Sequence, residues 1–195
     1  MLFGASTPLS KWLVGGIHPV LLGGLLYLGS GIGLGVFRLA RDRGWKSSGL
    51  QPVEWPWLLG AIGFGGVLGP VALMVGLTQA AGSTAALMLN LESVLTALLA
   101  WLVFKENADR RIVLGMAAIV AGGAVLSWPS GGEASSTPQG LAAIALACLC
   151  WAIDNNLTRK VSASDAMFIA STKGLMAGVV NCAIALTMQA QLPDL

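Results

Sequence analysis

Long apolar runs alternate with short polar breaks along the whole chain. Seven runs stand out: Leu2–Gly16, Pro19–Ala40, Trp55–Leu77, Ala85–Phe104, Ile112–Trp128, Leu141–Leu157 and Ala166–Met188. Roughly 20 apolar residues, rising about 1.5 Å each, cross a bilayer core of ~30 Å, so the pattern predicts transmembrane helices. The first run is shorter than a span needs and reads as the outer end of a helix whose beginning is missing. The stretch Ser83–Gly115 shows the plan most clearly. An apolar helix broken by one acid, Glu92, stops at Lys105 and Glu106, turns on Arg110 and Arg111, and gives way to a second apolar run. This is a membrane hairpin. Trp55 and Trp57 open the third span as interfacial anchors.

Composition agrees. Hydrophobic residues make up 55% of the chain and charged residues 10%, with a mean hydropathy of +0.77. Soluble domains carry about 25% charged residues, so there is too little charge here to wet a globular surface. The 26 glycines suit closely packed membrane helices. The net charge of +2 is uninformative, but the placement of charge is not. Arg38, Arg41, Arg43 and Lys46 follow the second span, Lys105, Arg110 and Arg111 the fourth, Arg159 and Lys160 the sixth. The intervening loops, Gly15–His18, Thr78–Ser83 and Pro129–Gln139, hold no Lys or Arg. Basic loops stay in the cytoplasm, so the expectation is a multi-pass protein of the inner (cytoplasmic) cell membrane with those three loops inside. Cys148, Cys150 and Cys182 lie within apolar runs and read as small packing residues.

Lys11 falls outside this charge pattern, and an internal repeat explains it. Phe3–Lys11, FGASTPLSK, aligns with Trp151–Arg159, WAIDNNLTR, at a shift of about 148 residues. An odd number of spans separates the copies, so the second is inverted in the membrane. Inverted repeats are typical of transporters, where two halves rock about a midplane site.

With these residues in place the chain resembles the EamA-type branch of the drug/metabolite transporter superfamily. The resemblance is carried by Ser83-Thr84-Ala85-Ala86, Glu92, Glu106, and Gly115 with Gly122 and Gly123, then by Trp151, Leu157-Thr158-Arg159-Lys160 and Asp165. It implies an all-α polytopic bundle of two inverted five-helix repeats, here the first repeat plus the first two helices of the second. Residues 1–128 would be the first repeat, 129–140 an outer linker, and 141–195 the start of the second. Ser93 stands where the family usually has proline, which predicts a less kinked fourth helix. The resemblance places the transport cavity among helices one, three, four, six, eight and nine, of which eight and nine are absent here. A fragment of a longer gene is therefore expected.

Several residues invite a functional reading beside a plainer one. Glu92, sharing a helix face with Met88 and Thr96, reads as a gate or coupling acid near the outer mouth, or as a structural acid bonded to its neighbours. Lys173 lies about 10 Å into the seventh span and reads as a partner for an anionic substrate or for Glu92; its long stem can also snorkel to the headgroups. Asp154, Asn155 and Asn156 lie one turn from the inner end of helix six and read as interfacial polar residues, with Asp154 and Asn155 also read as substrate contacts. Gly174, Gly178 and Asn181, below Ser171, form a small-residue stripe for helix packing, as do Gly29 with Gly33 and Ala118 with Gly122. Trp101 and Trp151 read as packing or interface residues, and His18 as a turn residue.

No metalloprotease, P-loop or nucleophile-elbow motif is present, so no enzyme, cofactor or metal is expected, and no nucleic-acid partner. The function expected is secondary transport, as export, of a small polar metabolite such as an amino acid, by alternating access. The partners are the lipid bilayer and that metabolite, with a homodimer or missing C-terminal helices completing the bundle. The alternative is a non-transporting membrane fragment or scaffold that needs a partner chain.

Overall fold

The computed structural model describes residues 18–107, 109–126 and 136–188. The first apolar run, the Phe3–Lys11 repeat copy, residues 129–135 of the linker and the C-terminal QLPDL lie outside the described residues. Those described are helical, with no strand among them: α1 Pro19–Asp42, α2 Trp55–Ala61, a π-helical segment Ile62–Leu68, α3 Gly69–Leu77, α4 Gly82–Met88, α5 Leu91–Leu102, α6 Arg110–Leu126, α7 Pro138–Lys160 and α8 Ala166–Thr187. Among the described residues five stretches are long and apolar enough to cross a membrane: Val20–Asp42, Pro52–Leu77, Thr84–Leu102, Pro138–Lys160 and Ala166–Thr187. Large apolar side chains point outward along them and along α6. Val36 is 61% exposed and Leu114 70%, which water would not tolerate over so wide a surface but lipid does. The protein is an all-α polytopic membrane protein.

The chain divides into two compact units, Met1–Gly49 with Ser164–Leu195, and Leu50–Ala163. The first unit contains α1 and α8, which run antiparallel. Pro19 starts α1, its fixed φ suiting the first turn, and Arg43 ends it in the left-handed region with φ 53°, donating its N–H back to Ala40 O. Contacts pair Gly24 with Cys182, Leu28 with Gly178, Gly31 with Gly174 and Leu175, and Gly35 with Ser171. A Cβ on Gly31 would lie 2.5 Å from Leu175 N, and one on Gly174 would lie 2.8 Å from Gly31 Cα. Lipid tails are as apolar as leucine, so close backbone approach, rather than hydrophobic burial, holds such a pair together. Asn181 is buried along the same seam. Gly29 and Gly33, expected to pack, instead face open space, as does Gly122 on α6. The seam follows residues 24, 28, 31 and 35, a helical stripe that turns Gly29 and Gly33 away from α8.

An ion cluster closes one end of this unit. Asp165 caps α8 by accepting from Phe168 N at 2.8 Å. Its carboxylate also accepts from Arg38 Nε (3.2 Å) and Arg41 Nη2 (2.7 Å). Arg38 is only 4% exposed, donates to Lys46 O at 2.9 Å, and lies 5.4 Å from the Phe168 ring centroid.

The second unit is built around α7, in which Ile144, Ala147, Cys148 and Ala152 are fully buried. The third span, α2 through α3, runs antiparallel to α7, with Gly60 against Leu157, Gly69 against Trp151 and Gly76 against Ile144. The fourth span runs parallel to α7. Ala85, Ile144 and Cys148 form a core against which Leu73, Met88 and Leu95 pack, and farther along Thr96 meets Asn156. The fourth span is interrupted, although Ser93 in place of proline predicted a less kinked helix. It breaks between α4 and α5 at Leu89 and Asn90, where Asn90 N and its side-chain amide both donate to Leu87 O. A side chain competing for a backbone carbonyl supplies the irregularity that proline would otherwise bring.

The polar loops sort to opposite ends of this unit. At one end Thr137 N donates to Gln79 O (3.0 Å) and Ala81 N to Ser136 Oγ (3.0 Å). At the other, Arg159 pairs with Glu106, and Lys160 Nζ lies 5.1 Å from the Phe104 ring centroid. The basic turns after the fourth and sixth spans thus share one end, and Gln79 and Ala81 meet Ser136 and Thr137, from loops without Lys or Arg, at the other.

Candidate functional site

Polar groups of the second unit gather between α5 and α7, where Asn155 is exposed, Glu92 half-buried and Asn156 buried. Asn155 Nδ2 donates to Glu92 Oε1 at 2.9 Å and contacts Thr96 Oγ1 at 3.4 Å. The next residue, Asn156, is buried and donates to Thr96 O at 3.1 Å and Ala152 O at 2.9 Å. The helical repeat accounts for this grouping. Glu92 and Thr96 are one turn apart on one face of α5, and successive residues of α7 turn by about 100°, so Asn155 meets the Glu92 and Thr96 side chains while Asn156 reaches the Thr96 carbonyl.

Helix boundaries set the depth of the cluster. The span containing Glu92 begins at Gly82 and ends at Leu102, which places the acid midway along it. Helix α7 continues to Lys160, so Asp154 and Asn155 stand more than one turn inside its end. Interfacial solvation is therefore a weaker explanation for them than their positions suggested. A half-buried carboxylate at mid-span needs donors, and Asn155 provides one.

Asp154 turns away from this cluster. Its Oδ1 accepts from Thr158 Oγ1 at 2.8 Å, and its carboxylate fills the space beside Gly65, where an added Cβ would collide with it. Trp151, one turn earlier on α7, donates its indole N–H to Gly65 O at 3.0 Å. Of the five residues picked out for substrate or coupling roles, Glu92, Thr96 and Asn155 meet, and Asp154 lies on the adjoining face of α7. Lys173 belongs to α8 in the other compact unit, where it is half-buried.

Gly65 was not singled out by sequence reasoning, and Asn156 was named only as an interfacial neighbour of Asp154 and Asn155. Asn156 was legible as the third polar residue of a run inside an apolar helix. The signal for Gly65 was the glycine-rich run GFGGVLGP, which has no equal elsewhere in the third span. Among the described residues no group of three or more His, Cys, Asp or Glu is placed to hold a metal ion.

A curated relative from Methanothermobacter thermautotrophicus, described as an uncharacterized transporter, is 26% identical over 202 residues, covering 95% of this chain and 58% of the relative. A solved crystal structure of another protein superposes with a TM-score of 0.70 at 21% identity, over 95% of this chain and 63% of that one, a likeness of fold. The chain thus spans less than two thirds of the length of either. The profile of the EamA-like transporter family matches residues 1–128, about two thirds of the sequence, and the chain therefore belongs to the EamA-like transporter family.

Proposed function

We propose that this membrane transporter protein exports a small polar metabolite such as an amino acid, by alternating access of inverted repeats, with Glu92, Thr96 and Asn155 among its substrate or coupling contacts. The observation that supports this reading is the hydrogen-bonded Glu92–Asn155–Thr96 group at mid-span, between two helices of the same unit. An acid held there by an amide can exchange that partner for a substrate donor or a proton as the repeats rock. Asp154 and Lys173 are further candidates in this reading, the first from the same helix as Asn155. The test is efflux of preloaded, labelled amino acids from cells producing the protein, compared with vector-only cells. Glu92→Gln keeps an acceptor for Asn155 but removes the charge, and efflux is expected to fall at least about tenfold, as for loss of a charge-assisted contact.

The lengths of the two relatives favour a second reading, in which the chain transports only when a second copy or further helices complete the bundle. Efflux equal to vector, restored when a longer relative's C-terminal helices are supplied in trans, would select it.

The proposed orientation puts the basic turns in the cytoplasm. Cysteine introduced at Thr137 should react with a membrane-impermeant maleimide in intact cells, whereas cysteine at Lys46 or Asn107 should react only after lysis. The opposite pattern would reverse the orientation.

A further inference from the structure

The third span carries a defect that another helix repairs. Through Ile62–Leu68 it follows the wider π-helical register, and Gly69 N–H accordingly donates to Phe64 O, five residues back. In that register the next carbonyl, Gly65 O, looks to the N–H of residue 70. Residue 70 is Pro70, which has none. A carbonyl without a donor is costly inside a membrane, where no water can replace it. Gly65 O instead accepts the indole N–H of Trp151 from α7, at 3.0 Å. The glycines around it make this approach possible. A Cβ on Gly69 would lie 2.8 Å from Trp151 Nε1, and one on Gly65 would displace the Asp154 carboxylate.

We propose that Trp151 is a positioning residue: it supplies the hydrogen bond that Pro70 denies to Gly65 and so latches the third span, in its π register, to the helix that carries Asp154 and Asn155. Held this way, Gly65 keeps open the niche that the Asp154 carboxylate occupies. Without the indole, the carbonyl must find another donor, by slipping toward the α register or by opening. The third span is then a two-register element, and Trp151 decides between the registers. Segments of π-helix are enriched at functional sites in proteins because such a shift re-aims every side chain beyond it. The inference stands without the transport reading, since it concerns the register of one span.

The test is hydrogen exchange, followed by mass spectrometry, on the full chain in lipid nanodiscs. A peptide covering Ile62–Leu68 is compared with one from α8 in the same sample. Trp151→Phe keeps an aromatic ring but removes the donor, and exchange in the Ile62–Leu68 peptide should rise roughly fivefold, the effect of one net hydrogen bond. Pro70→Ala returns an N–H to residue 70, so the Trp151→Phe/Pro70→Ala double variant should return to within about twofold of wild type. A cavity left by the smaller ring would not be repaired by a change at residue 70, so this rescue separates the latch from simple packing. Unchanged exchange in Trp151→Phe, or a double variant as fast as the single one, overturns the proposal. If Trp151→Phe loses protection in α8 as well, the double variant decides: recovered protection supports the latch, and continued loss overturns it.

Discussion

Replacing Gly31 by valine is expected to separate α1 from α8 and to lower the melting temperature of the purified protein by roughly 10 °C, or about 3 kcal/mol. The reason is the nature of the obstacle. The first atoms a side chain at residue 31 would meet are the backbone of Leu175, at 2.5 Å, and of Gly174, at 2.8 Å. A flexible side chain can move aside, but a helix backbone cannot do so without moving the whole helix. Because lipid tails solvate the exposed faces as well as a neighbouring helix does, little hydrophobic gain remains to offset the lost close contact. Gly29→Val and Gly33→Val are the controls. Both glycines face open space, and both variants are expected to melt within about 2 °C of wild type, as for surface substitutions. Thermal unfolding in detergent, followed by size-exclusion recovery, measures all three. Equal losses at residues 29 and 31 would mean that the seam does not run where the contacts place it.

Asp165→Ala should be the second most damaging change, at about 2–3 kcal/mol. One carboxylate caps α8 through Phe168 N and binds the guanidinium groups of Arg38 and Arg41. Removing it leaves the buried Arg38 with Lys46 O, the more distant Asp42 at 3.8 Å, and the Phe168 ring. Asp165→Asn retains a capping oxygen and should lose only the ionic part, ~1 kcal/mol. The pH dependence has a definite sign. The Arg41 side-chain hydrogen bond, followed by that from Phe168 N, holds the Asp165 carboxyl below its ordinary value. A depressed acid contributes its stability above the unfolded value, near pH 4, and loses it as pH falls through the lower, folded value. Melting temperature should therefore drop on acidification below about pH 4, more steeply for wild type than for Asp165→Asn. Identical acid profiles would show that the ion cluster contributes nothing measurable.

Much of the architecture was legible in advance. The second, third, sixth and seventh apolar runs became α1, α2 through α3, α7 and α8, with ends shifted by a few residues. Local interactions account for some of the shifts. Thr137 caps α7 through Gly140 N at 3.1 Å and starts it before the apolar run begins, and the Asn90 side chain divides the fourth span. The candidate site was legible only in part. Glu92 and Asn155 each stood out as polar residues inside apolar helices, but nothing in the order of residues paired them across 63 positions. The same holds for Trp151 with Gly65, 86 positions apart, and for Arg38 with Asp165, 127 apart.

The sequence by itself determined the membrane-spanning, all-helical character of the chain and which polar loops carry its positive charge. A bilayer imposes a minimum apolar length and excludes unpaired backbone, and both demands are written residue by residue. Tertiary structure decided which glycines form the α1–α8 seam, where the third span widens into π register, and which polar side chains meet. Hydropathy cannot reveal these choices, because lipid and a neighbouring helix are almost equally apolar and leave no periodic stripe to read. Only the contact of one backbone with another, over distances of a few ångströms, distinguishes Gly31 from Gly29.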